Sequence, residues 1–494
     1  MLALLVFIYI FDTKVDVNGD NCYYYIFATS LAAGDGYADM LGNATAHFPP
    51  GYPLLMAPLR FFTDSVVAQK VLNLVFFFAA VLLFFYTMVA EGVKRSLAFI
   101  ACAAMLVTPH LLEFSRMMMS EASCIFFISL ALFAFKRLPV EGSVPWRSPW
   151  LYVFVLSVVY TFYIRTQAIV FMAAVAGALL FARRFKEALL LVGGFAVALL
   201  PWVLRNAILG LEQSRYVNQI DLSRVWKIAH MLVVQAIPES VVPFFKVQYG
   251  GAPTLLLYII ALSMLALVLY GFWRLKSLRL VLFFSLVGNV AIVSVMNSPS
   301  LYRYMIIVLP FITMGLVVGL WSCANAVCTW TLKKSLSPWF LLLLFVPTFF
   351  SCNDKSKGTL WGLNKMARAS YSSHIDAFIS IGAEAAKYGN DFVTASRKPE
   401  LLYVKTGLRG VRIRKSTDGV QILNELVTDK VDFLILENLG IRYTYTVLYP
   451  FIKDHPQFFE MLKLTPQPAN ILFKFNRETA RQYLVERGCY YGEK

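Results

Sequence analysis

The sequence predicts a polytopic α-helical membrane protein of about eleven spans, followed by a small soluble α/β domain. Three observations predict it. Of the 494 residues, 59% are hydrophobic and only 15% are charged, where a soluble chain averages about a quarter charged. The apolar residues come in long runs, and a bilayer core of ~30 Å needs roughly twenty in succession. The composition then changes after residue 352, where short β-rich runs alternate with amphipathic helical patterns.

The runs lie near 1–11, 67–90, 97–112, 118–135, 150–164, 167–182, 188–204, 252–273, 280–296, 304–325 and 338–350. The first is too short to cross a bilayer, and it lacks the basic leader and cleavage site of a signal peptide. This suggests that part of the first helix precedes residue 1. Basic residues recur in alternate loops: Lys94 and Arg95; Lys136, Arg137 and Arg147; Arg183, Arg184 and Lys186; Arg274, Lys276 and Arg279; Lys333 and Lys334. Loops of this kind face the cytoplasm. The opposite, outer side then receives segments 12–66, 113–117, 205–251 and 297–303, together with everything after about 352. The expected division is a membrane domain over 1–352, with its first outer loop at 12–66, and a soluble domain over 353–494 on the outer side. The same retention of Lys and Arg in inner loops accounts for the net charge of +16 without a nucleic-acid partner. Cys102, Cys124, Cys323 and Cys328 fall in apolar runs as small hydrophobes. Cys22, Cys352 and Cys489 fall outside them and leave a disulfide open.

In the soluble domain, strands are expected at Phe392–Ser396, Val411–Ile413, Val431–Leu436 and Ile471–Phe475, with helices over 374–388, 418–428 and 477–486. No glycine-rich phosphate loop appears there.

The first outer loop is the most informative segment. Residues 21–33 have helical periodicity, with Tyr24, Ala28 and Leu31 on one face, and Gly34 and Gly36 end the helix. Pro49-Pro50-Gly51-Tyr52-Pro53 then reads as a turn that starts a second short helix. Asp20, taken alone, is a helix N-cap. Its position just outside the first span also suits a carboxylate in a protected interfacial cavity, where it can act as a general base. Glu113 and Arg116 read as a local pair.

The pattern Gly19-Asp20-x-x-x-Tyr24-x-x-x-Ala28, then Leu31-x-x-Gly34-x-Gly36-Tyr37, then Pro49-Pro50-Gly51-Tyr52-Pro53 resembles the GT-C superfamily of membrane glycosyltransferases. It is closest to the branch of protein O-mannosyltransferases and lipid A aminoarabinose transferases. Ser120-Glu121, Arg165, Pro201-Trp202-x-x-Arg205-Asn206 and Arg303-Tyr304 followed by Pro310 extend the resemblance over roughly residues 1–350. The resemblance implies a GT-C-like fold and a polyprenyl-phosphate sugar donor. It implies inverting transfer at the outer face to a glycan, lipid or protein acceptor, through a hydroxyl or a phosphate. The location it implies is the bacterial cytoplasmic membrane, with membrane lipid as a partner. Asp20 would be the base, and Glu121 a second acid that orients donor or acceptor, or else an acid placed at a helix start by the helix dipole. Arg165, Arg205 and Arg303 would hold the donor phosphate, which guanidinium binds bidentately, or would snorkel to headgroups. Tyr24, His47, Tyr52, Asn206 and Tyr304 would line the substrate pocket. A lone His such as His47 serves packing as readily.

No cofactor is expected. The five histidines are scattered without metal-ligand spacing. Asp20 and Glu121 could hold a divalent ion through oxygen, but the branch resembled works without an essential metal, so none is expected. A flippase or transporter of polyprenyl-linked sugar is the alternative class. Transporters place ionisable groups at the bilayer midplane or show repeated halves, and the sequence shows neither pattern.

Overall fold

The computed structural model describes residues 2–17, 19–138, 147–211, 220–241, 255–296, 301–345, 360–389 and 391–490. The chain forms two compact units. One comprises Met1–Lys14 and Ala46–Arg368, the other Val15–Thr45 and Ala369–Lys494. This differs from the division expected at 352/353. Most of the first outer loop belongs with the C-terminal residues, and the helix Leu360–Arg368 belongs with the membrane helices.

The first unit is a helical bundle. Among the described residues, four helices are long and apolar enough to cross a membrane: Val66–Ala90, Phe185–Ile208, Leu255–Trp273 and Arg303–Leu332. Five shorter apolar helices accompany them: Arg95–Met105, Glu121–Phe135, Pro149–Ile164, Thr166–Phe181 and Arg279–Ser294. Each coincides with an apolar run of the sequence. The first run gives the short helix Leu2–Ile10. The last run gives a 3₁₀ segment over Pro338–Phe345, and its remainder, 346–350, lies outside the described residues, as does Cys352.

Packing within the bundle follows small residues. Helix Leu255–Trp273 lies against Leu309–Leu332 so closely that a Cβ on Gly271 would sit 1.9 Å from the Gly315 carbonyl oxygen. A Cβ on Gly319 would sit 2.0 Å from the Leu267 carbonyl oxygen. Helices in lipid associate by van der Waals packing, and a Gly-x-x-x-Gly face such as Gly315–Gly319 lets backbones touch. At the basic end of the bundle, the Glu91 carboxylate accepts from the backbone N–H of Lys276 (2.8 Å) and Ser277 (2.9 Å) and pairs with Lys136 Nζ at 2.7 Å. Three of the basic loops thus meet at one carboxylate and share one side of the bundle.

The second unit is built on a five-stranded sheet in the order β2-β1-β3-β5-β4. The strands are β1 Val393–Ser396, β2 Gly410–Arg412, β3 Val431–Leu436, β4 Phe459–Leu464 and β5 Ile471–Phe475. β2, β1 and β3 are parallel, while β5 runs antiparallel to β3 and β4. Four of these were expected; β4 is an addition, an edge strand with Met461 and Leu464 exposed. The expected helices appear as Ser373–Ala386, Gly419–Thr428 and Arg477–Glu486, joined by Pro399–Thr406 and Tyr449–Asp454. Alternate residues of β3 serve two faces. Leu434 and Leu436 join Ile422, Leu423, Phe451, Ile452, Ala480 and Leu484 in one core. Phe433 turns the other way, with its ring 5.3 Å from that of Tyr388 at the end of helix Ser373–Ala386.

The helix Gly19–Ala33 packs in this unit against Pro399–Thr406. Gly19 lies close to that helix, where a Cβ would sit 2.7 Å from Glu400 Oε1 and the Glu400 carboxylate would have to shift. Lys398 Nζ donates to the Val17 carbonyl at 2.6 Å and Tyr371 Oη to that of Val15 at 2.7 Å. Cys22 and Cys489 are free thiols.

Candidate functional site

Besides Glu91, the described residues of the first unit gather charge at two further buried points. Glu121 opens the helix Glu121–Phe135 and is 1% exposed. Arg165 directly follows the end of Pro149–Ile164 with extended backbone (φ −146°, ψ 120°), which ends the helix there. Its Nη1 lies 2.6 Å from Glu121 Oε1 and 3.1 Å from Ser120 Oγ. Arg303 enters from a third element, with its Nε also 2.6 Å from Glu121 Oε1. The second carboxylate oxygen, Oε2, is buried without a hydrogen-bond partner among the described residues. One carboxylate oxygen thus bridges two guanidinium groups, and groups of this kind suit an anion.

The surroundings fix this arrangement. Asn73, fully buried on Val66–Ala90, donates to the carbonyls of Met117 (2.5 Å) and Met119 (2.7 Å). It thereby holds the loop that delivers Ser120 and Glu121. Gln167 Nε2 donates to the Tyr304 carbonyl and to Asn289 Oδ1, both at 2.8 Å. This anchors the residue next to Arg303, while the Tyr304 ring lies 6.0 Å from the Arg165 guanidinium. The Pro-Pro-Gly turn also packs here. Gly51 lies against the backbone of Tyr163, where a Cβ would be 2.6 Å from the carbonyl carbon. Tyr160 Oη donates to the Gly51 carbonyl at 3.0 Å, and Tyr52 is fully buried beside it.

The second point was not foreseen. Asp12 pairs with Lys70 Nζ at 2.6 Å and with Arg116 Nη1 at 2.8 Å, and all three are under 10% exposed. Arg116 Nη1 also donates to the Ile10 carbonyl at 3.1 Å. The expected local pair Glu113–Arg116 is therefore not formed. Glu113 lies 3.8 Å from His110, and Arg116 is turned inward to an acid more than a hundred positions away. The available signal was Gln69-Lys70-x-x-Asn73 inside an otherwise apolar run, since an ionisable group in a span needs a partner.

The remaining expected residues are distributed as follows. Arg205, in the last turn of Phe185–Ile208, donates to Asn206 Oδ1 at 2.8 Å, with its guanidinium 5.1 Å from the Trp202 ring. His47 is half-buried with its ring against Phe48. Asp20 and Tyr24 belong to the second unit. Asp20 is half-buried in the first turn of Gly19–Ala33, inside the helix rather than at its cap. Arg412, which pairs with Glu400 at 2.6 Å and lies 5.6 Å from the Tyr23 ring, senses the Asp20 charge. Tyr24 is buried. Among the described residues no three His, Cys, Asp or Glu side chains group as metal ligands.

No protein-family model matches the chain, and no curated protein matches it in sequence. Solved structures do match. The apo form of ArnT from Cupriavidus metallidurans superposes with a TM-score of 0.61 at 10% identity, over 96% of each chain. The same protein bound to undecaprenyl phosphate gives 0.60 at 11% identity, again over 96% of each. ArnT is a lipid A aminoarabinose transferase, and the chain shares its fold.

Proposed function

We propose that the chain is an inverting GT-C glycosyltransferase that moves a sugar from a polyprenyl-phosphate donor to an acceptor hydroxyl or phosphate at the outer face of the membrane. The observation that carries this reading is Glu121 buried between Arg165 and Arg303, in a fold shared with a protein crystallised with undecaprenyl phosphate.

The chemistry has three demands. A phosphate leaving group must be held, and guanidinium does this without losing its charge. Arg165 and Arg303 supply two such groups, pre-positioned by Glu121 so that little reorganisation is needed when the phosphate departs. Arg205, oriented by Asn206 and Trp202, is the third. The acceptor hydroxyl must lose a proton as the new bond forms, and Asp20 is the base assigned to that step, with an expected contribution of about 10²–10⁴ in rate. The acceptor attacks the anomeric carbon opposite the phosphate, the C–O bond to phosphate breaks, and configuration inverts. Tyr24, His47, Tyr52 and Tyr304 are assigned to the pocket that holds the sugar. The cell location that fits is the bacterial cytoplasmic membrane, with the basic loops inside and the second unit outside.

The test is purified chain in liposomes with a polyprenyl-phosphate sugar. The expected result is acceptor-dependent release of polyprenyl phosphate, reduced at least a hundredfold in Asp20→Asn. Passage of the lipid across the bilayer with its sugar bond intact would identify a flippase instead.

A further inference from the structure

In an open α/β sheet, ligands bind beyond the carboxyl ends of parallel strands, where neighbouring strands send their chains to opposite faces. The second unit has such a point between β1 and β3. β1 leads into Pro399–Thr406, which packs with Ser373–Ala386. β3 leads to Tyr449–Asp454, whose Phe451 and Ile452 belong to the core on the Leu434 and Leu436 face.

The residues at that point are polar and buried. Ser396 closes β1 and is 0% exposed; Glu437 follows β3 and is 1% exposed. Ser396 Oγ, Arg397 Nε and Glu437 Oε2 are all buried without a hydrogen-bond partner among the described residues. Their other contacts hold them in place. Thr444 Oγ1 donates to Glu437 Oε1 at 2.7 Å. Arg397 donates to the Ile413 carbonyl, and its guanidinium lies 5.3 Å from the Tyr443 ring. Buried polar atoms in folded proteins are nearly always paired, and these three orphans lie at the carboxyl ends of two paired strands.

We propose that this crevice binds a neutral, hydroxyl-rich ligand: the saccharide portion of the acceptor. The donors and acceptors suit hydroxyl groups, which both give and take hydrogen bonds. The guanidinium and, where it is ionised, the carboxylate offset each other in charge, and an ionised carboxylate would repel a phosphate. A nucleotide is disfavoured further by the turn itself. Arg397-Lys398-Pro399 contains no glycine to bring the backbone against a phosphate. Assignment of the saccharide to the acceptor rests on the transferase reading, but its binding does not.

The test uses the full chain in lipid nanodiscs, applied to a printed array of oligosaccharides. The strongest binder is then titrated against wild type, Ser396→Ala, Glu437→Gln and the exposed control Lys387→Ala. The expected result is retention of at least one oligosaccharide, with amide-exchange protection at 396–398 and 437–444. Affinity is expected to fall about tenfold in each crevice variant and to be unchanged in the control. Three results would overturn the proposal: no retention above empty nanodiscs, wild-type protection confined to other segments, or wild-type affinity in both crevice variants. The wild-type footprint decides if a variant fails to fold. No donor lipid is present, so saccharide binding without polyprenyl phosphate release in the transfer assay would sink the transferase reading alone.

Discussion

Arg165 Nη1 lies 2.6 Å from Glu121 Oε1, joining the end of one apolar helix to the start of another. Removing the carboxylate takes away the charge that lies between the buried Arg165 and the half-buried Arg303. Glu121→Gln keeps the shape and is expected to destabilise the bundle by about 3–5 kcal/mol. Arg165→Gln or Arg303→Gln is expected to weaken polyprenyl phosphate binding about tenfold or more. Thermal melting in detergent and lipid titration measure the two effects. Wild-type lipid affinity in both arginine variants would remove the phosphate assignment.

Asn73 acts on the same place from behind. Asn73→Ala deletes both bonds to the Met117 and Met119 carbonyls and frees the loop that delivers Ser120 and Glu121. A displacement of about 1 Å at a reacting site can cost a hundredfold in rate. The expected outcome is a 10- to 100-fold drop in kcat with KM for the donor changed less than threefold. Parallel loss of melting temperature and unchanged kcat in the folded fraction would indicate a purely structural role.

The helix pair Leu255–Trp273 and Leu309–Leu332 tolerates no Cβ at its contact. Gly319→Val would place carbon about 2 Å from the Leu267 carbonyl oxygen and must push the helices apart. It is expected to cost over 4 kcal/mol and to abolish a folded peak in size-exclusion chromatography. Gly193→Ala is the contrasting case, because a Cβ there meets nothing within 4 Å. It is expected to be neutral or to stabilise by up to about 1 kcal/mol.

Burial pushes the Glu437 carboxyl up to about 7, although the Thr444 hydroxyl and Arg397 pull it down. Between pH ~4.5 and ~7 the folded unit keeps a proton that the unfolded chain has released. Stability of the second unit therefore falls as pH rises through that window and levels off above it. Burial also raises Asp39, Glu425 and Asp429, which adds slope of the same sign. In Glu437→Gln the slope shrinks, and the variant is expected to be more stable than wild type at pH 8 by about 2–3 kcal/mol. Amide exchange of β3 in the full chain from pH 5 to 8 reads this directly.

The apolar helices were legible because lipid imposes one requirement everywhere. The run at 67–90 became Val66–Ala90, and the alternating basic loops led to three ends that meet at Glu91. Part of the site was legible by order along the chain, since Ser120, Glu121, Arg165 and Arg303 do converge. Asp12, Lys70 and Arg116 were not legible. Spacing favours local pairs such as Glu113 with Arg116, whereas a buried Lys70 takes whichever acid the fold brings to it. β4 was missed because its exposed Met461 and Leu464 blur the alternation of an edge strand. The affiliation of Val15–Thr45 was hidden for a related reason. Helical periodicity reveals the buried face of Gly19–Ala33 but not the element that covers it.

Because Val15–Thr45 folds with Ala369–Lys494, biosynthesis imposes a long wait. The ribosome makes this segment well before its structural partners, with the membrane helices emerging in between. Until then Gly19–Ala33 lacks Pro399–Thr406, the helix it packs against. A chain stopped before residue 369 would carry this helix as an orphaned, apolar amphiphile, ready for quality-control proteases. Expressing residues 369–494 on their own would leave the mirror-image deficit, so the two segments stand or fall together.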